Sequence, residues 1–130
     1  MITADQLVVH AFGDYILQSD WMATTKTSVW KAAVAHVVLY AVPFLLLTQS
    51  PLALAVIAGT HLVIDHWRLA RYVGWAKNFL APRSAWPPPF EQCKATGYSP
   101  DKPPFMAVWL MIIVDQLMHV VINALAIVYL

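Results

Sequence analysis

Three aspartates, Asp14, Asp65 and Asp115, lie in stretches that are otherwise strongly apolar, and each has a histidine four residues away. The pairs are His10–Asp14, His61–Asp65 and Asp115–His119. On a helix, side chains four positions apart share a face and can converge on one point. A fourth histidine, His36, stands alone in another apolar stretch. Ionisable side chains at the centre of a membrane helix cost at least ~2.5 kcal/mol each, so their presence marks function by default. Imidazole and carboxylate together suit zinc, manganese or iron, and a single cysteine, Cys93, excludes an intramolecular disulfide and argues against a Cys-type structural site. Seven candidate ligands exceed the needs of one tetrahedral ion. They suit either two ions sharing a carboxylate or one ion with outer Asp–His pairs.

The chemistry this set favours is metal-dependent hydrolysis, with a phosphoester or another lipid-headgroup bond as the target. His10, Asp14, His36, His61, Asp65, Asp115 and His119 are the candidate ligands for one or two divalent ions, zinc or manganese/iron. Asp14 or Asp115 is the candidate general base. Arg68, seven residues after His61 on the same face, is the candidate group for orienting an anionic substrate. Gln18 and Asn123 extend the polar faces and are candidates for supporting the ligands. His66 points about 100° away from Asp65 and is set aside. Two other readings use the same residues. The Asp–His pairs can neutralise one another and fix helix register, or they can belong to a non-enzymatic membrane protein, either a metal- or proton-conducting bundle or a phage-type bundle acting on a host partner.

The elements that carry these residues read as membrane helices. Of 130 residues, 60% are hydrophobic and only 12% charged, and the mean hydropathy is +0.61. A soluble chain of this size cannot hide so much apolar surface. Three stretches meet the ~20 residues needed to cross a bilayer: 30–48, with Pro43 as a kink, 51–70, with Ser50 as N-cap, and 105–129. A fourth helix is expected from a capping box at Thr3-Ala4-Asp5-Gln6, its apolar part running over 7–17, inserted or spanning. The expectation is an all-α, integral membrane four-helix bundle forming one domain over 1–130. Helical rise places His61 about 15 Å and Asp65 about 21 Å from the start of their span, with Asp115 about 15 Å into its own, depths compatible with a common site.

All eight basic residues fall in the connections between helices 1 and 2 or around the connection between helices 3 and 4, and the positive-inside rule makes that side cytoplasmic. The expected location is a bacterial inner membrane, with the lipid bilayer and a lipid-like substrate as partners; an oligomer is compatible with the sequence. A formal charge of +1 argues against nucleic acid. Asp5 sits where the basic region of a signal peptide would be, so no leader is expected. Residues 81–104 hold seven of the nine prolines and form a cytoplasmic loop. Its Trp86, Phe90 and Tyr98 suggest a cap on the membrane surface, with plain disorder as the competing reading.

The segments His10-Ala-Phe-Gly-Asp14-Tyr-Ile-Leu-Gln18, Thr60-His-Leu-Val-Ile-Asp65 and Asp115-Gln-Leu-Met-His119 resemble the small bacterial and phage membrane proteins grouped as domain-of-unknown-function family 3307. The resemblance covers all four expected helices and implies a polytopic inner-membrane protein of no settled activity. A looser likeness, in residue types alone, is to inner-membrane metal-dependent hydrolases that also place His and Asp on several helices.

Overall fold

The computed structural model describes residues 2–130. Among these the chain forms seven α-helices, joined by 3-10 and π segments, and no strand. The helices are α1 (Ala4–Ala11), α2 (Asp20–Thr25), α3 (Trp30–Ala41), α4 (Pro51–His66), α5 (Ala70–Lys77), α6 (Phe90–Cys93) and α7 (Pro104–Tyr129). They divide into two units, one of residues 2–67 with His119–Leu130, the other Arg68–Met118.

In the first unit, α1 starts at the expected capping box. The Gln6 N–H donates to Thr3 Oγ1 and the Thr3 N–H donates to Gln6 Oε1. After Ala11 the helix widens into a single π turn, Phe12–Ile16. The α3 helix gives way at Pro43, whose missing N–H interrupts the ladder, and continues as a 3-10 segment, Val42–Leu46. Ser50 caps α4 through the Ala53 N–H, with Pro51 at the first helical position. The same Ser50 hydroxyl donates to the Leu130 carbonyl at 2.9 Å, fastening the start of α4 to the end of α7. An apolar core of Val9, Tyr40, Phe44, Ala53, Ile57 and Ala126 closes this end of the unit.

The rest of that unit is turned inside out. Gln6, His10, Asp14, His36, His61, Asp65, His119 and Asn123 are buried. Large apolar side chains are exposed, among them Val34, Val38, Leu45, Leu46, Leu52, Leu125 and Val128. In water the usual arrangement is the reverse, since a buried polar group must find a partner and exposed apolar area is unfavourable.

In the second unit the Pro-rich stretch folds against α5 rather than trailing away. The Trp75 indole N–H donates to the Pro88 carbonyl at 2.9 Å, and the Tyr72 and Phe90 rings stack with centroids 4.6 Å apart. Tyr98 is buried, its ring edge 3.3 Å from where a Cβ on Gly74 would stand. Gly97 sits at φ +86°, and a Cβ there would lie 2.1 Å from the Arg71 carbonyl oxygen, so only glycine fits.

The four long helices expected from the sequence do not form as such. Among the described residues, only α7 is long and apolar enough to cross a membrane by itself. The expected span 30–48 becomes Trp30–Leu46, shorter than a full crossing and tightened at Pro43. The expected span 51–70 stops at His66, where Trp67 leaves the helix and Arg68 takes φ 53°. The N-terminal helix over 7–17 is instead α1 followed by its π turn. The established class is all-α, and the four-helix membrane bundle is not supported in its expected form.

Candidate metal centre

The α3 and α4 helices each send one imidazole into the interior of the first unit. On α3 the buried stripe runs Ala32, Ala33, His36, Val37, Tyr40, and on α4 it runs Ala53, Ile57, His61, Ile64, Asp65. Both follow the helical period, so a polar residue at His36 or His61 is carried inward by its apolar neighbours. His36 and His61 are fully buried, and their Nε2 atoms lie 2.9 Å apart. One turn beyond His61, the Asp65 carboxylate brings Oδ2 to 3.2 Å from each of these two nitrogens.

The fourth member, Asp14, arrives from the π turn. Its Oδ1 is 3.3 Å from His36 Nε2 and 3.7 Å from His61 Nε2. Asp14 reaches the α3–α4 histidines, and His10 meets the Tyr40 hydroxyl at 2.7 Å. Gly13 makes the approach possible, because a Cβ there would lie 2.9 Å from Tyr40 Cδ2 and 3.0 Å from the Tyr40 carbonyl oxygen.

One ligating atom from each of Asp14, His36, His61 and Asp65 lies within 4.8 Å of the others, and all four residues are buried. Ligands about 2.0 Å from a tetrahedral ion stand about 3.3 Å from one another. The five separations given above run from 2.9 to 3.7 Å and bracket that edge length. The donor set of two imidazole nitrogens and two carboxylate oxygens is one that divalent zinc, manganese and iron accept.

A second layer holds the first. His119 Nε2 lies 3.2 Å from the other Asp65 oxygen, Oδ1, and its ring stacks on His61 at 4.0 Å. On the opposite face of His61 the Tyr40 ring stacks at 3.7 Å. The Nδ1 atoms of His36 and His61 have no hydrogen-bond partner among the described residues, so ring packing fixes the His61 imidazole. The Tyr40 hydroxyl accepts from Asn123 Nδ2 at 2.6 Å, leaving its proton for His10 Nδ1 at 2.7 Å.

Of the candidates read from the sequence, Asp14, His36, His61 and Asp65 come together, with His119 against Asp65. His10 and Asn123 meet at Tyr40, one layer out. Gln18 accepts from the Lys26 ammonium at 2.6 Å. Asp115 is half-buried on α7, one turn before His119, and lies in the second unit outside the four-residue group. Arg68 also belongs to the second unit, where its guanidinium donates to the Ala95 carbonyl at 2.8 Å. His66 is turned away as expected, with Nδ1 2.7 Å from the Lys26 carbonyl oxygen and its ring stacked on Trp30.

Two residues escaped the sequence reading. Tyr40 follows His36 by four positions, so the same spacing that marked the Asp–His pairs would have found it. Lys26 counted only as a topological charge, and nothing in its neighbourhood announces that it folds back onto Asp65.

No curated protein and no solved structure is significantly similar to this chain. The model of a family described as "Protein of unknown function (DUF3307)" matches residues 2–130, nearly the whole chain with all of these residues, and the chain therefore belongs to that family.

Proposed function

We propose that this protein is a membrane-embedded, metal-dependent hydrolase whose centre is His36, His61 and Asp65, with Asp14 as the general base. The observation that carries the reading is the buried trio of ligating atoms on His36, His61 and Asp65, 2.9–3.2 Å apart, with a fourth buried carboxylate, Asp14, 3.3 and 3.7 Å from the two imidazole nitrogens. Three protein ligands with a fourth position left for water is the arrangement of catalytic zinc, whereas four protein ligands close a structural site. Asp14 is the member assigned to the water because it is the more distant carboxylate from both histidines. A bound ion would lower the pKa of that water and polarise the scissile group. Asp14 would take the water's proton and return it to the leaving group. His119 would fix the Asp65 carboxylate in its ligating orientation.

Membrane embedding rests on the exposed apolar and buried polar residues of the first unit, together with the length of α7. The inner membrane, basic connections facing the cytoplasm, is the site that the positive-inside rule favours. A phosphoester or lipid headgroup remains the preferred substrate class. A bundle that conducts cations or protons is the second reading, favoured by the polar line of His61, Tyr40, His10 and Asn123.

The test is elemental analysis of detergent-purified protein, prepared without chelator, beside a His61→Ala/Asp65→Ala variant. About one equivalent of transition metal, absent from the variant, supports the centre and opens a screen of phosphoester lipids. Absence of metal from both, with cation or proton flux in liposomes, establishes the second reading in its place.

A further inference from the structure

The Lys26 side chain ends inside the proposed centre. Its Nζ lies 2.5 Å from Asp65 Oδ2, 2.6 Å from Gln18 Oε1 and 3.3 Å from His36 Nε2. Three acceptors therefore surround an ammonium with three protons to give, and two of them are atoms of the ligand set. The lysine is the more exposed member of its ion pair, its side chain 16% exposed against 6% for Asp65. Its backbone is pinned from both sides. The Lys26 N–H donates to the Met22 carbonyl at the end of α2, and its own carbonyl oxygen meets His66 Nδ1 at 2.7 Å. The flexible stem alone can swing while residue 26 stays in place.

We infer that Lys26 is a resident cation that sets the charge selectivity of this centre: a divalent ion enters by displacing the ammonium, and a monovalent ion gains nothing by doing so. The inference rests on the metal reading above. Two buried carboxylates, Asp14 and Asp65, carry a charge of about −2, which one ammonium halves and one divalent ion cancels. Sodium or potassium would replace one unit of positive charge by another and would lose the three directed hydrogen bonds. A displaced Lys26, held at the rim by its fixed backbone, leaves a cation beside the site where an anionic substrate would approach.

Zinc titration of purified protein in detergent tests this on wild type, Lys26→Met and Lys26→Arg. Lys26→Met is expected to bind zinc about tenfold or more tighter, a usual size for coupling between competing occupants, and Lys26→Arg to stay near wild type. Sodium should weaken zinc binding in Lys26→Met far more than in wild type. Zinc should also open Lys26 of the wild-type protein to an amine-acylating reagent read by peptide mass spectrometry. Equal zinc affinity in all three proteins, with Lys26 labelling unchanged, overturns the inference while leaving the metal centre intact. Zinc binding in none of them, including the unplugged Lys26→Met, removes the metal reading and the inference with it.

Discussion

His36 and His61 stand 25 residues apart in the chain, yet their Nε2 atoms approach to 2.9 Å between α3 and α4. Two imidazole lone pairs aimed at one point repel unless a proton or a cation lies between them. The two carboxylates beside them sharpen that demand, and the geometry reads as a socket for positive charge.

The two carboxylates should separate on substitution. Asp65→Asn is expected to lose the metal, since Asp65 stands 3.2 Å from both histidines. Asp14→Asn should keep most of the metal and lose turnover by about 10²–10⁴-fold, the usual contribution of a positioned general base. Metal content measured beside headgroup release checks the division. Equal metal loss in both variants would make Asp14 a ligand instead.

The supporting layer should be felt through the first. His119→Ala frees Asp65 Oδ1 and is expected to weaken metal affinity by about 10–100-fold. Tyr40→Phe leaves the ring stacked on His61 but removes the hydroxyl that His10 and Asn123 both meet, costing about 1–3 kcal/mol of stability. Competition with a chelating dye and thermal unfolding report the two effects separately.

Gly13→Ala places a methyl 2.9 Å from the Tyr40 ring and 3.0 Å from its carbonyl oxygen. The π turn must then move off α3, which carries Asp14 away from His36. A loss of about 1–3 kcal/mol in stability is expected, as for other overpacked contacts, together with reduced turnover. An unchanged melting temperature with full activity would show that the turn does not need its closeness.

Arginine on the apolar exterior separates a bilayer from water. Val38 and Leu125 are 57% and 52% exposed. If these faces meet lipid, Val38→Arg, at the middle of Trp30–Leu46, should impair insertion by about 2.5–3.5 kcal/mol, and Leu125→Arg, one turn from the end of α7, by less. If they meet water, the changes are surface substitutions worth about 0.5 kcal/mol or less. The fraction recovered in membranes after alkaline extraction distinguishes the two.

Cys93, at the end of α6, is 1% exposed, and burial pushes its thiol pKa above the ordinary value. The folded protein should therefore resist maleimide at neutral pH and react promptly once unfolded. A raised thiol pKa also means that stability from this site is intact below the unfolded value and is lost as pH rises through the folded one. Cys93→Ala should flatten that alkaline decline, as followed by thermal unfolding.

The helical class, the cap at Thr3 and the start of α4 at Ser50 were legible because each depends on neighbours in the chain. So were His61 and Asp65, one turn apart on an unbroken α-helix. Helix ends were misjudged where geometry overrode composition: the apolar run past His66 continues in sequence, but the backbone turns at Arg68. The π turn was invisible for a related reason, since Phe12–Ile16 matches α-helical composition as well as π. The three Asp–His pairs looked equivalent, and tertiary position gave them different surroundings. Lys26 was the least legible, because its partner Asp65 lies 39 residues away and no periodicity links them.

The outer support of the centre comes from residues far along the chain from the groups it holds. Asp65 meets His119 across 54 residues, and Tyr40 meets Asn123 across 83. Until a nascent chain has delivered residues 119–123, those two acceptors lack their final partners. Support of the four inner residues is thus tied to delivery of residues 119–123, and long-range closure of this kind is slow compared with helix formation. A chain ending before His119 would carry the four inner residues without the contacts that hold them.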